Sequence, residues 1–248
     1  MRLTLSISLV LFCVSGLQAQ STVLLTEDFE DNVVNYTTST PEFHDGTSDY
    51  FTITPLNGVA NSIDAYSGFG GSNYFAVEDI DDGGTRPGSG TLSFNVNVAG
   101  FENLSLDMLF AAGGNGAGVP AYDSDDGFLV RASIDGNPFQ NLLAFEAAGT
   151  TNQLLLQDTN FDGTGDGFQP SESFTAFNGL AIAGTGSNLL LEIVVDSNDG
   201  NVEFAFDNIV VSGTSAVPEP GSAVLLIGAA LGLITQRRRN QKSIPGSF

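Results

Sequence analysis

Thr91-Leu92-Ser93-Phe94-Asn95-Val96-Asn97-Val98 decides the fold. Leu92, Phe94, Val96 and Val98 occupy alternate positions, with Ser93, Asn95 and Asn97 between them. A period of two puts apolar side chains on one face of a strand and polar ones on the other. The pattern recurs outward along the chain. Leu104, Leu106, Met108 and Phe110 alternate with Ser105 and Asp107. Phe128, Val130, Ala132 and Ile134 alternate with Leu129, Arg131 and Ser133. Leu189, Leu191, Ile193 and Val195 alternate with Leu190, Glu192, Val194 and Asp196, and Val202, Phe204 and Phe206 with Glu203, Ala205 and Asp207. Asp82-Gly83, Asp126-Gly127, Asp135-Gly136 and Asp199-Gly200 steps punctuate the runs as turns. Asn198-Asp199-Gly200 reads as a hairpin between two strands. About ten to twelve strands are expected, with no helical period in the middle of the chain. The fold class is all-β, an antiparallel two-sheet β-sandwich. Nineteen Phe and no Trp predict a Phe-rich core between the sheets.

Charge divides the 248 residues into two kinds of sequence. The formal net charge is −22. Between Gln20 and Ser215 only Arg86 and Arg131 are basic, against 28 acids, so that stretch carries −26. Such a surface repels phosphate and excludes nucleic acid as a partner. The single Cys, Cys13, and single His, His44, leave no disulfide framework and no Cys or His metal centre.

The remaining bases mark the ends. Arg2 followed by the apolar run Leu3 to Val14, with Ala19 as a small residue at the cut, reads as a signal peptide over 1–19. The sandwich domain then covers 20–214, and 215–248 is linker and tail, Gly213 to Val217 forming the connection. In the tail Pro218-Glu219-Pro220 precedes an apolar helix over 223–235 and the cluster Arg237-Arg238-Arg239. With Ser222 included the helix is roughly 21 Å long, short against a bilayer core of about 30 Å. The three Arg belong on the cytoplasmic side. Motif, helix and Arg cluster together resemble the PEP-CTERM protein-sorting tail. The resemblance implies an exosortase-type sorting enzyme as partner and transient anchoring in the inner membrane. Release or transfer to the cell surface or exopolysaccharide matrix follows.

Clustered acids repel one another unless solvated or neutralised. Asp158-Thr159-Asn160-Phe161-Asp162-Gly163-Thr164-Gly165-Asp166 places oxygen donors from Asp158, Asn160, Asp162, Thr164 (by its carbonyl) and Asp166 at positions 1, 3, 5, 7 and 9, with Gly at 6. That is the opening of an EF-hand-type loop for structural Ca²⁺. Gln169 holds the twelfth position, so the closing carboxylate must come from elsewhere, Glu172 being the next acid along the chain. A solvated Asp/Gly turn is the alternative. Glu78 to Gly83 and Asp123 to Gly127 lack the spacing and read as solvated loops.

The opening Glu27-Asp28-Phe29-Glu30 and the closing Ala205-Phe206-Asp207-Asn208-Ile209-Val210-Val211 resemble bacterial extracellular jelly-roll sandwiches, including carbohydrate-binding modules. The resemblance implies a calcium site made by Glu27 or Glu30 with Asp207. No G-x-S-x-G and no Cys–His pair point to catalysis, and His44-Asp45 reads as an exposed loop. The sandwich glycosidase pattern Glu-x-Asp-x-Glu is absent as well. The reading is an exported, non-catalytic surface or matrix protein with structural calcium. A calcium-assisted glycan-binding module is the alternative, a glycosidase the weaker one. For the former, Tyr36, Tyr50, Tyr66, Tyr74 and Tyr122 fall in or beside expected loops and offer stacking faces.

Overall fold

The alternating runs become strands whose apolar faces close on one another. A computed structural model describes residues 20–31, 33–46, 49–55, 66–113 and 121–216. The signal peptide over 1–19 and the sorting tail, with Pro218, Glu219, Pro220, Arg237, Arg238 and Arg239, lie outside the described residues. The strands are β1 (Ser21–Glu27), β2 (Thr37–Thr38), β3 (Phe43–His44), β4 (Tyr50–Pro55), β5 (Asn73–Glu78), β6 (Ser89–Asn97) and β7 (Phe101–Gly113). Then come β8 (Gly127–Ile134), β9 (Gln140–Ala147), β10 (Leu155–Gln157), β11 (Thr175–Ile182), β12 (Asn188–Asp196) and β13 (Glu203–Ser215). There is no helix among the described residues.

Two antiparallel sheets result. The seven-stranded sheet runs β11-β7-β13-β5-β4-β3, with β1 also paired to β13. The six-stranded sheet runs β10-β9-β8-β12-β6-β2. The architecture is the all-β sandwich expected from the alternation. All five expected apolar faces point inward: Leu92, Phe94, Leu106, Phe110, Phe128, Val130, Leu191, Ile193, Phe204 and Phe206 are among the fully buried residues. Phe fills the middle, with Phe110 stacked on Phe145 and Phe75 on Phe206. Such ring pairs add about 0.5–1.5 kcal/mol each beyond their burial.

Asp135-Gly136 makes the tight β8–β9 turn, both residues taking positive φ, 52° and 75°. That is the primed turn whose twist matches a hairpin. Asn198-Asp199-Gly200 behaves differently. It joins β12, in the six-stranded sheet, to β13, in the seven-stranded one. The expected hairpin is therefore a corner between sheets. Leu191 and Ile193 pair with Phe94 and Leu92 of β6 rather than with β13, and share the core between the sheets with Phe204 and Phe206. Gly213, Thr214 and Ser215, expected as linker, are the last residues of β13, and Thr214 and Ser215 pair with Glu102 and Phe101 of β7.

β13 changes partner along one edge. Its residues Glu203 to Phe206 pair with β5, and Ile209 to Thr214 pair with β1. At the changeover the register slips between Asp207 and Val210, and Asn208 takes φ 50°. Such a bulge bends a strand and re-aims its side chains.

The seven-stranded sheet also buries part of its outer face. Ala76, Ala205 and Ala111 lie side by side on β5, β13 and β7. Their small side chains admit the rings of Tyr66, Phe69 and Phe174, which pack with Tyr50 and Tyr74 into a second apolar cluster.

Candidate functional site: acidic loops around buried carboxylates

The Asp158 loop follows β10 and is organised by one carboxylate. Asp158 is 2 % exposed. Its Oδ1 accepts from the backbone N–H of Asn160 (3.2 Å), Phe161 (2.7 Å) and Asp162 (3.3 Å), and its Oδ2 from Gly163 (2.8 Å). The chain is thereby wound around its own first residue. The winding requires positive φ at the fourth and sixth positions, 59° at Phe161 and 85° at Gly163. Glycine takes that conformation freely; Phe161 does so at a steric cost. Asp162 accepts from Thr164 N–H (3.1 Å) and from Asn160 Nδ2 (3.1 Å), and Asn160 Oδ1 accepts from Asp162 N–H (2.9 Å).

Asp158, Asn160, Asp162 and Thr164 are thus tied into one loop. Asp166 turns back instead: its Oδ1 accepts from the N–H and Oγ1 of Thr159, which hold its carboxyl low. Glu172, the acid next in sequence, sits on the segment bonded to Ser67, where its carbonyl accepts from Ser67 N–H. The carboxylate nearest in effect is Glu146 of β9, which no local motif announces. Burial pushes it up to about 7, with the charges of Asp158 and Asp196 adding to the shift. Gly127 lies opposite both Glu146 and Asp196 in the sheet. Its missing side chain leaves room for Glu146, whose Oε2 lies 2.7 Å from where a Cβ would sit.

The β13 bulge builds a second site. Asp207 is fully buried; its Oδ2 accepts from Gly70 N–H (2.8 Å) and its Oδ1 from Asn208 N–H (2.7 Å). Burial nevertheless raises it to about 6, and Glu30 and Asp28 contribute to that rise. Glu30 Oε1 accepts from Ser72 and Asn73 N–H, both at 2.6 Å. Glu30 and Asp207 therefore grip the same segment, Gly70 to Asn73, from two sides. Glu27 does not join them: its carboxylate accepts from Phe29 N–H (3.0 Å) and Asn35 N–H (3.2 Å) and fixes its own loop.

The third acidic region lies where the β3–β4, β5–β6, β7–β8 and β12–β13 connections meet. Asp45, Asp49 and Asp82 each present an oxygen within 4.8 Å of the others, and Arg86 Nε lies 3.3 Å from Asp82 Oδ2. Asp79 is pushed up to about 7 by burial, by a hydrogen bond with Asp81 and by the charges of Asp49, Asp81 and Asp199. The expectation of solvated loops fails at two points. Asp126, 1 % exposed, accepts from Asp123 N–H (2.9 Å) with Oδ2, and burial raises it to about 7. Glu78 is buried at the end of β5.

The tyrosines are a further correction. Tyr36, Tyr50, Tyr66, Tyr74 and Tyr122 are all buried: Tyr50 and Tyr74 are residues of β4 and β5, and Tyr36, Tyr66 and Tyr122 pack from connections into the two apolar clusters. None offers a face to a sugar. Among the described residues the exposed large aromatic rings are Phe139, Phe161 and Phe168. His44 is exposed as expected but sits in β3, its Nδ1 accepting from Gly46 N–H (2.9 Å).

No protein-family model matches the chain, and no curated protein does. Among solved structures it is similar to the K3 cleaved adhesin domain of Lys-gingipain from Porphyromonas gingivalis w83, at 16 % identity and TM-score 0.42 over 78 % of this chain and 99 % of that one. It is similar to an apo-form cyclase from Fischerella sp., at 14 % identity and TM-score 0.42 over 79 % and 98 %. It is also similar to the C-terminal family 22 carbohydrate binding module of Clostridium thermocellum Xyn10B, at 10 % identity and TM-score 0.41 over 78 % and 95 %. Values this low leave the functions of those proteins with those proteins.

Proposed function

We propose that this chain is an exported, non-catalytic protein of the cell surface or exopolysaccharide matrix, its sandwich stabilised by structural calcium. The observation that carries the reading is Asp158, a buried carboxylate that winds an oxygen-rich loop around itself. Carboxylate, amide and carbonyl oxygens are the donor set of a hard cation. Asp158, Asn160, Asp162 and the Thr164 carbonyl would hold Ca²⁺ there, with Glu146 rather than Glu172 as the additional carboxylate. Asp166 would join only by leaving Thr159. A second ion would sit between Glu30 and Asp207. Glu27, bound to its own loop, is left out.

The sequence supplies the rest of the proposal. Pro218-Glu219-Pro220, the apolar run and Arg237 to Arg239 are the parts an exosortase-type enzyme reads. The strong negative charge favours a soluble, hydrated state outside the cell. Intact mass of the mature protein tests both cleavages, and deletion of residues 217–248 tests sorting. The truncated chain is expected free in the medium; unchanged processing and location would refute the sorting signal.

A calcium-assisted glycan-binding module is the second reading, favoured by one observation. Phe161 and Phe168 are exposed on and beside the Asp158 loop, where rings can stack on a sugar face. A polysaccharide pull-down in calcium, repeated with Phe161→Ala and Phe168→Ala, decides it. Retention of the parent and loss with the variants supports it, and no retention of the parent removes it.

A further inference from the structure

Three connections meet at the end of the sandwich where β1 starts and β13 finishes. They are β6–β7 (98–100), β8–β9 (135–139) and β11–β12 (183–187). Hydrogen bonds stitch them together. Val98 N–H donates to the Ser187 carbonyl (3.0 Å), and Asp135 Oδ1 accepts from the N–H groups of Ser187 (3.1 Å) and Asn188 (2.9 Å). Gln140 exchanges two bonds with the backbone of Ala183. Ala216 N–H donates to the Gly100 carbonyl (2.9 Å), so β13 hands the chain on from this end.

Charge separates the two ends of the sandwich. The three connections here hold one acid, Asp135, whose carboxylate is already engaged, and Glu102 at the start of β7 adds one more. The connections at the opposite end hold nine acids: two in β3–β4, three in β5–β6, three in β7–β8 and one in β12–β13. The end poor in acids exposes apolar side chains instead. Phe139 in the β8–β9 turn and Val23, the third residue of β1, are both exposed. The Arg131 guanidinium lies over the Phe139 ring, 4.3 Å from its centroid, which sets a base beside it.

Ala216 is the last described residue. The apolar run of the tail opens at Ala223, seven residues on, a reach of at most about 25 Å. An inserted tail therefore keeps this end within reach of the lipid headgroups. Anionic headgroups repel acids within a Debye length, about 8–10 Å, while exposed apolar side chains and bases favour such a surface.

We propose that the end formed by these three connections is a lipid-facing surface, on which the sandwich stands against anionic headgroups while the tail is inserted. Phe139 and Val23 meet the bilayer surface, and the acidic connections point away from it. The proposal rests on the sorting-tail reading.

The test uses the chain exported in a host without an exosortase-type enzyme, reconstituted in vesicles of phosphatidylcholine and phosphatidylglycerol. Cys13 lies in the signal peptide, so a single introduced Cys takes a fluorophore. Ala99→Cys labels the end poor in acids and Pro87→Cys the acidic end, both at exposed positions. With a nitroxide quencher on the lipid headgroups, the Ala99 label is expected to lose most of its emission and the Pro87 label to keep it. Adding Val23→Glu and Phe139→Glu is expected to restore emission at the Ala99 label. Equal quenching of the two labels, or quenching at Ala99 that the added acids leave unchanged, overturns the proposal. Self-quenching of the Ala99 label without lipid assigns this end to a second copy and overturns it as well. Flotation of the unlabelled chain with the vesicles separates the two readings. A chain that does not float refutes the anchor and the proposal with it, and one that floats with equal quenching refutes the proposal alone.

Discussion

Phe110 of β7 and Phe145 of β9 stack across the two sheets with ring centroids 4.3 Å apart and planes 20° from parallel. Phe128 closes on the same Phe110 ring at 4.3 Å. The two sheets are joined here by ring faces, at the centre of a core that has no tryptophan. Phe110→Ala removes the shared partner and leaves a cavity that neighbouring strands cannot collapse into. It is expected to cost about 3–5 kcal/mol by urea denaturation. A loss below about 1 kcal/mol would show that the stack is not central.

Calcium is expected to raise the melting temperature of the full chain over that in chelator. An ion present at a hundred times its dissociation constant adds about 2.7 kcal/mol per site. Asp158→Ala should remove part of that gain. In chelator the same change should still cost about 1–3 kcal/mol, because four backbone N–H groups lose their acceptor. Equal melting temperatures with and without calcium would dismiss structural calcium.

Without calcium, stability is expected to fall as pH rises from about 4 to 7. Glu146 and Asp126 are raised to about 7 and Asp207 to about 6, burial being the first cause in each. An acid raised on folding binds its proton more tightly in the folded state. Its contribution is complete below the unfolded value, near 4, and is lost as pH passes through the folded one. Asp125 and Asp166, held low, act in the opposite sense and only below about pH 4. Urea midpoints in chelator across this range test the slope, and Glu146→Gln should flatten it. A midpoint rising toward pH 7 would contradict the burial of these groups.

Two glycines at the Glu146 site should respond differently to alanine. A Cβ on Gly165 would lie 2.4 Å from the Glu146 carbonyl oxygen and 2.7 Å from that of Leu156. Both are backbone atoms of a ladder and cannot move aside. The three atoms nearest a Cβ on Gly127 all belong to the Glu146 carboxylate, the far end of a side chain that can swing away. Gly165→Ala is expected to cost about 1–3 kcal/mol and Gly127→Ala clearly less. The reverse order in thermal melts would refute the placement of Glu146.

The core was legible because alternation is local: Leu92, Phe94, Leu191 and Phe204 announce their faces within a few residues of each. The partners of a strand are not local. Asn198-Asp199-Gly200 has hairpin chemistry, yet nothing in those residues states that β12 and β13 belong to different sheets. The Asp158 loop was readable from its spacing, whereas Glu146 arrives from another strand and carries no motif. The tyrosines misled for a physical reason. Tyr66 comes from a connection that folds onto the sheet over Ala76, Ala111 and Ala205, and small residues in three separate strands advertise nothing in sequence.

The pairing of β1 with β13 has a mechanical consequence. Ser21 lies opposite Thr214 and Glu27 opposite Ile209, so the first and last strands enter and leave at the same end of one antiparallel ladder. A pull applied between those two ends loads the Ser21–Thr214 rung before any other. The rungs then open in succession, since the bonds of such a ladder lie across the strands. The strand peels rather than shears. Tension between its two ends is therefore the direction in which this sandwich yields most easily, β1 being stripped away while β7 and β5 still hold β13.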